Sequence, residues 1–347
     1  MSERRLYLDA GIGERRGVVS LDGRPERLLI ERDGDAACQA LGARSVARVR
    51  AIEKGPGLAF LELAEGPDAV LNLTPEAGKL AAGAMIEIEI RAEARSGKGA
   101  SVRFVSPAEG PPRLIAAAPP MEERLQAFAR EATIQTGAIA RSMADGAQDE
   151  ALETIFPLPG GGSLAVEPTR ALTAVDVDLG ARAGEEAKRA ARAANFAALN
   201  AAARILRLKG LGGLVVIDLV GRGHDGPAML SAARLAFSPD NPGVALGPVS
   251  RFGTLEITVP RRARPALDIL RGEEGAVSAL THALALIRAL EREAIADGGG
   301  RFEAVAAPAT AEYAAPLLAR LTERLGARLT LREDPGLALG AYQVARL

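Results

Sequence analysis

The chain has no tryptophan, and aromatic residues fill 3% of its 347 positions. Its cores must rest on Leu, Val, Ile and Ala, which an apolar fraction of 48% supplies. A single cysteine, Cys38, excludes an intramolecular disulfide framework and any multi-cysteine zinc site. A reducing cytoplasm is the expected setting. The two histidines, His224 and His282, lie too far apart in sequence to suggest a Ser-His-Asp triad. No run approaches the ~18 consecutive apolar residues of a membrane span. The opening residues, MSERRLYLD, lack the apolar centre of a secretion signal. Neither sign of charge is in excess: the net charge is −1, which gives no global pull toward nucleic acid. Lysines number five (Lys54, Lys79, Lys98, Lys188, Lys209), so the basic side chains are mostly arginine, whose planar fork suits phosphate. Any nucleic-acid binding would therefore have to rest on local patches.

What is present is a series of short strands followed by alternating strands and helices. A length of 347 residues suggests two to four domains. Residues 4–32 read as a β-meander over 5–9, 17–21 and 26–30, with a turn at Asp22-Gly23. Strands at 45–52, 58–63, 69–73, 85–90 and 101–105, separated by glycine-rich turns, predict a small barrel of the oligonucleotide-binding type. The prolines at 111–112 and 119–120 mark a linker. Helices are expected at 121–130, 148–155, 185–208, 228–237 and 276–296, strands at 245–250 and 253–259, and a small α/β unit to the end.

Two acids near the ends of apolar runs stand out: Asp176 in LTAVDVD (172–178) and Asp218 in GLVVIDLV (213–220). The helix-forming stretch between them makes a strand–helix–strand unit, a right-handed crossover whose strands run the same way. Neighbouring strands lie ~4.8 Å apart. Side chains alternate along a strand, so Asp176 and Asp178 share a face and Asp218 converges on them. Ligands in open α/β sheets bind beyond the carboxyl ends of the strands. An oxygen-only cluster suits Mg²⁺ or Mn²⁺ rather than zinc. On this pattern alone, ordinary strand-end carboxylates, capping loops or pairing with arginine, are the better account of both acids.

Other motifs carry less. Gly11–Gly17 is spaced wrongly for a dinucleotide loop and reads as a hairpin turn. The SGKG segment at 96–99 lacks a phosphate loop's first glycine, although Lys98 can meet a phosphate. His224 reads as a solvated loop residue with substrate contact as the alternative, and His282 and Cys38 as packing. Phe60 reads as barrel core or a base-stacking aromatic. Arg261, Arg262 and Arg264 read as a solvated charge run.

Three stretches, GGGSLAVEPTRALTAVDVD (160–178), ILRLKGLGGLVVID (205–218) and VSRFGTLE (249–256), closely resemble the bacterial ribonuclease E/G family. The resemblance is strong over about 157–262 and traceable over 1–118 and 276–347. It implies an α/β multidomain chain. An RNase H-like region (1–36 and 119–158) would be interrupted by an S1 barrel (37–118). A DNase I-like catalytic domain (159–265) and a small C-terminal α/β domain (266–347) would follow. It implies that Asp176 and Asp218 bind Mg²⁺, or alternatively Mn²⁺, with Asp178 as a further catalytic acid. Single-stranded RNA would be cut to 5′-phosphate and 3′-hydroxyl products. Phe60 and Lys98 match RNA-contacting positions, and Arg251 is a further expected RNA contact.

The departures from the family are equally specific. Asp178 stands where the family usually has asparagine. The acid that often follows the Asp218 position is replaced at Val220-Gly221. The usual basic stretch before SRFG is NPGV at 241–244, and a second barrel aromatic is Val70. The paired cysteines of the family's zinc link, expected near 262–275, are missing, so a homodimer would have to form without zinc. The part that senses the RNA 5′-phosphate has no room between about 110 and 125. Three hypotheses follow. The first is a cytoplasmic Mg²⁺-dependent endoribonuclease of RNA processing or decay that ignores the 5′ end. The second is a catalytically weak RNA-binding scaffold. The third is a phosphodiesterase or DNA nuclease with the same metal chemistry.

Overall fold

A computed structural model describes residues 3–75, 80–95, 97–180 and 184–347, with the backbone alone for 184–188. The first sheet is the expected meander: β1 (Arg4–Ala10), β2 (Glu14–Leu21) and β3 (Arg24–Arg32) pair antiparallel. Asp22 and Gly23 both take positive φ, 51° and 78°, the two-residue turn that matches strand twist. The alternation buries two faces. Leu6, Leu8 and Val19 pack in one cluster, and Tyr7, Val18, Leu28 and Ile30 in another.

The barrel follows: β4 (Arg44–Glu53), β5 (Leu58–Glu62), β6 (Ala69–Asn72), β7 (Met85–Ala92) and β8 (Ser101–Pro107). The order β5-β6-β8-β7-β4 closes because β5 also pairs with β4, and β6–β8 is the parallel pair. Val49, Leu61, Leu71, Ile88 and Ile90 fill the interior. Where the sequence reads as linker, β9 (Arg113–Ala116) adds an outer strand to β4. The turn around Lys98 is closed by paired backbone hydrogen bonds to Arg95; Ser96 lies outside the described residues.

Next come α1 (Met121–Gln126), β10 (Ile134–Gln135), α2 (Ala138–Leu152) and β11 (Ile155–Pro157). The helix expected at 148–155 is therefore corrected: it starts ten residues earlier and ends at Leu152, and Ile155 opens β11. The buried stripe of α2 is Ala140, Ala144, Ala147 and Ala151, too small to register as hydrophobic periodicity, and Gly146 lowers helix propensity further. Met121 and Leu125 of α1 cover one face of the first sheet, while α2 covers the other.

The third sheet contains β12 (Ser163–Pro168), β13 (Thr173–Asp178), β14 (Gly213–Asp218), β15 (Ala245–Val249) and β16 (Thr254–Val259), in the order β11-β12-β13-β14-β16-β15. Between β13 and β14 runs α3 (Gly184–Lys209), and α4 (Gly226–Ala236) follows β14. Val175, Val177, Val215 and Ile217 pack against Ala194, Ala198, Leu199 and Ala202 of α3. Each such aliphatic side chain contributes about 1.5–3 kcal/mol on burial. The small alanines let helix and sheet approach closely. The same core takes in α2 and one face of the first sheet, so α3 is shared by two sheets.

The chain ends with α5 (Ala266–Leu270), α6 (Ala279–Ala296), β17 (Phe302–Ala306), α7 (Pro308–Leu325), β18 (Leu329–Glu333) and β19 (Tyr342–Arg346). A three-stranded sheet, β18-β17-β19, packs against α6 and α7. His282 of α6 lies against Gly340, where an added Cβ would stand 2.5 Å from the ring.

Charged groups join these units alongside the shared apolar core. Arg16, 1% exposed, bonds Asp9 at 2.5 Å and Asp145 at 2.8 Å. Glu14 takes Arg32 and Arg288 at 2.9 Å each, which ties the first sheet to α6. Two cations cap the carbonyl end of α2: Lys209 donates to Glu153 O, and Arg271 donates to Leu152 O at 3.3 Å. Burial, then the like charge of Arg271, lowers the Lys209 ammonium to about 8. The barrel is held to the third sheet by Glu93. Its backbone N–H donates to Arg262 O at 2.8 Å, and its carboxylate accepts from Arg264 N at 2.7 Å and Leu41 N at 2.9 Å.

Candidate functional site

β13 and β14 run parallel with Asp176 directly opposite Asp218, the juxtaposition expected of the crossover. The row continues to Ala165 on β12 and Thr254 on β16. Strand alternation does the sorting: Val175, Val177 and Ile217 go into the core, and Asp176, Asp178 and Asp218 face solvent. Glu167 and Glu256 are exposed one row back on the same face, so this side of the sheet is acidic. Among the described residues neither Asp176 nor Asp218 takes a hydrogen bond or an ion pair. Asp178 differs: its Oδ1 accepts from Gly180 N at 2.9 Å, which turns it to shaping the loop after β13.

Asn195 fixes the far end of β14. It is 1% exposed, and its amide donates to Val220 O and accepts from Val220 N, both at 3.0 Å. Leu219 N also donates to Gly253 O at 3.1 Å. The backbone just beyond Asp218 is therefore held on both sides, by α3 and by the turn that leads into β16. Sequence reasoning missed Asn195. Its one signal was a polar residue on the apolar stripe of a helix.

The turn from β15 to β16, Ser250–Thr254, stands beside Asp218. Ser250 and Thr254 hydroxyls lie 2.7 Å apart, and Ser250 N donates to Thr254 O at 2.8 Å. Gly253 has φ +91°, and a Cβ there would stand 3.2 Å from His224 Nε2, so the position needs glycine. His224 is consequently half-buried under this turn, not a solvated loop residue, and its Nε2 has no hydrogen-bond partner among the described residues. Arg251 is exposed with its guanidinium 4.6 Å from the centroid of the Phe252 ring, and Phe252 is 77% exposed. Sequence reasoning named Arg251 and passed over Phe252, because an isolated phenylalanine is usually core.

The other expected contacts lie on the barrel. Phe60 of β5, half-buried, sits opposite Val70 of β6, which sits opposite Ser101 of β8; the three share the outer face. Lys98 is exposed in the turn leading into β8. Arg261, Arg262 and Arg264 are not a free solvated run. Arg261 Nε donates to Gly212 O at 2.9 Å, Arg262 Nη2 to Pro242 O at 3.3 Å, and Arg264 pairs with Asp35 at 3.6 Å.

The donor set fits a hard divalent cation in one specific way. Mg²⁺ keeps several waters and commonly uses one or two carboxylates plus substrate phosphate oxygens. The facing pair Asp176 and Asp218 supplies two carboxylates. Among the described residues no three His, Cys, Asp or Glu side chains gather into a fuller ligand set. Such a pair leaves coordination positions for water and phosphate. Among the described residues no helix is long and apolar enough to cross a membrane.

Comparison with known proteins places this geometry in context. Residues 118–262 match the model of the Ribonuclease E/G family. The ribonuclease E/G-like chloroplastic protein of Arabidopsis thaliana is 32% identical over 140 residues, 39% of this chain and 14% of that protein. Ribonuclease E of Escherichia coli (strain K12) is 36% identical over 123 residues, 34% of this chain and 11% of that protein. Ribonuclease G of Salmonella typhimurium (strain SL1344) is 30% identical over 172 residues, 47% of this chain and 35% of that protein. The matched region thus spans between about a tenth and about a third of those relatives.

Proposed function

We infer, from the match of residues 118–262 to the Ribonuclease E/G family model, that the chain is a metal-dependent endoribonuclease acting on single-stranded RNA in processing or decay. The observation that carries this reading is the solvent-facing pair Asp176 and Asp218, in register on adjacent parallel strands and without a hydrogen-bond or ion-pair partner among the described residues. Under this reading Asp176 and Asp218 would hold Mg²⁺, or Mn²⁺, where an RNA phosphate binds. When bound, such a cation would supply Lewis-acid chemistry, making a water more acidic and neutralising charge at the phosphate. Asn195, through Val220, keeps Asp218 at the strand end. Arg251 offers its guanidinium edge to the phosphate, since it has no carboxylate partner among the described residues. Asp178 adds negative charge beside the cation while it braces the turn at Gly180. Hydrolysis of this kind leaves 5′-phosphate and 3′-hydroxyl ends.

In this reading the barrel is the S1 part, with Phe60 and Lys98 contacting RNA upstream or downstream of the cut. The first sheet with α1 and α2 is the RNase H-like region, the third sheet is the DNase I-like catalytic part, and α6 to β19 form the small C-terminal part. A second reading, an RNA-binding scaffold with little turnover, is favoured by the acidic sheet face and the NPGV stretch at 241–244. Cleavage of an unstructured oligoribonucleotide in Mg²⁺ separates the two. Asp176→Asn and Asp218→Asn should each cost at least about 100-fold in rate, more than loss of an outer-shell partner does. Equal cutting by wild type and both variants would sink the nuclease assignment.

A further inference from the structure

An aromatic ring left 77% exposed two residues from Thr254, the strand partner of Asp218, needs an explanation, because the chain has so few aromatics. Phe252 is not a loose side chain on a loose loop. Its turn is closed by Ser250 N to Thr254 O, by Gly253 N to Ser250 O at 3.0 Å, and by the Ser250–Thr254 hydroxyl contact. Phe252 N itself donates to Ser250 Oγ at 3.2 Å. Gly253 packs onto His224, and its carbonyl is tied to Leu219, the residue after Asp218. The backbone that carries the ring is therefore held two residues from Thr254, whose Cα is paired with that of Asp218.

One side of the ring carries Arg251, with its guanidinium 4.6 Å from the ring centroid, a cation–π arrangement that preorganises both side chains. Arg251 has no ion-pair partner among the described residues, so its N–H edge stays available to a phosphate oxygen. The ring keeps an open surface toward solvent. Around it the sheet face is acidic, with Glu167, Asp176, Asp178, Asp218 and Glu256 exposed. Phosphates are repelled there unless a cation intervenes, and the net charge of −1 offers no compensating long-range pull. A contact that does not depend on charge has most to contribute at such a place. Every nucleobase presents a π-face, so stacking serves any sequence.

We propose that Phe252, with Arg251 laid over its ring, is a nucleobase-stacking subsite beside Asp176 and Asp218, and that it takes the base of the nucleotide adjoining the phosphate held there. The assignment rests on the nuclease reading for the placement of that phosphate. The role of Phe252 is positioning: it holds the strand in register with the acids and makes no contact with the reacting atoms.

The absence of tryptophan makes the test direct, because Phe252→Trp introduces the chain's sole indole. The full-length variant is titrated with an unstructured ten-nucleotide RNA and with an abasic ribose-phosphate chain of the same length, without Mg²⁺. Fluorescence of the indole and anisotropy of a dye on the nucleic acid are followed together. Saturable quenching by RNA, no quenching by the abasic chain, and about 5- to 140-fold weaker RNA binding by Phe252→Ala are expected. That factor is ~1–3 kcal/mol per stacked base at 1.4 kcal/mol per tenfold. In cleavage assays Phe252→Ala should raise KM while Phe252→Trp retains wild-type KM. RNA binding seen by anisotropy with unchanged indole emission would overturn the subsite, as would Phe252→Ala binding RNA like wild type. Quenching without any Mg²⁺-dependent cleavage by wild type would remove the nuclease reading and leave the stacking surface. Cleavage without quenching would do the reverse.

Discussion

Asn195, buried in the middle of α3, holds Val220 by both of its backbone groups, an N–H and a carbonyl, each at 3.0 Å. Val220 lies two residues past Asp218, so the amide of one helix sets where the acid's strand stops. Asn195→Ala strands two backbone groups and should cost about 1–3 kcal/mol per unsatisfied group. It should also raise the Mg²⁺ concentration for half-maximal cleavage about 10- to 100-fold, as loss of an outer partner does. A lower melting temperature with an unmoved Mg²⁺ midpoint would leave Asn195 a structural residue only.

Glu14 is the carboxylate that two buried arginines share, Arg32 and Arg288 at 2.9 Å each. Glu14→Gln leaves both cations short of a counter-charge inside the protein. Breaking a buried pair from one side costs about 3–5 kcal/mol. The exposed pair Arg332–Glu303 at 3.2 Å is the control, and Glu303→Gln should change stability by less than about 1 kcal/mol. Urea unfolding midpoints of the two variants provide the comparison; equal shifts would refute the buried role.

Lys209 gives a pH signature. Its folded pKa, about 8, lies below the ordinary lysine value of 10.5. Between these values the unfolded chain binds the additional proton, so this group's contribution to stability rises with pH from about 8 to about 10.5. Below that window the buried ammonium is a cost. The unfolding free energy of wild type minus that of Lys209→Met should therefore grow across the window. A difference that stays flat from pH 7.5 to 10.5 contradicts the depressed pKa.

The connection from β9 to α1 is four residues, 117–120, between Ala116 and Met121. Nothing that short forms a subdomain able to recognise a terminal phosphate. RNA substrates with 5′-hydroxyl and 5′-monophosphate ends should be cut at rates within about threefold, less than ~0.7 kcal/mol in barrier. A large monophosphate preference in initial rates would show that another surface senses the end.

The acid pair was legible because two independent rules meet on it: crossovers make neighbouring strands parallel, and alternation sends every second residue outward. The barrel was legible from turn glycines and short apolar runs. The start of α2 was hidden because its buried face is alanine, which carries weak periodicity. The strand β12 lay inside a stretch whose glycines and proline read as punctuation. Asn195 showed only as a polar residue on an apolar helix stripe, because its partner lies 25 residues away and is backbone. His224 and the arginines at 261–264 read as solvated because their partners, the Gly253 turn and the carbonyls of Gly212 and Pro242, are tertiary neighbours.

Glu93 lies on the barrel, yet it bonds the backbone of Arg262 and Arg264 just after the strand that carries Thr254. The outer face with Phe60 and the row with Asp218 are thereby parts of one gauge. A strand that touches both has its span prescribed by protein backbone, whatever its sequence. On the nuclease reading proposed above, the gap between grip and cut would be a property of the chain, readable as the shortest RNA that still competes at both ends.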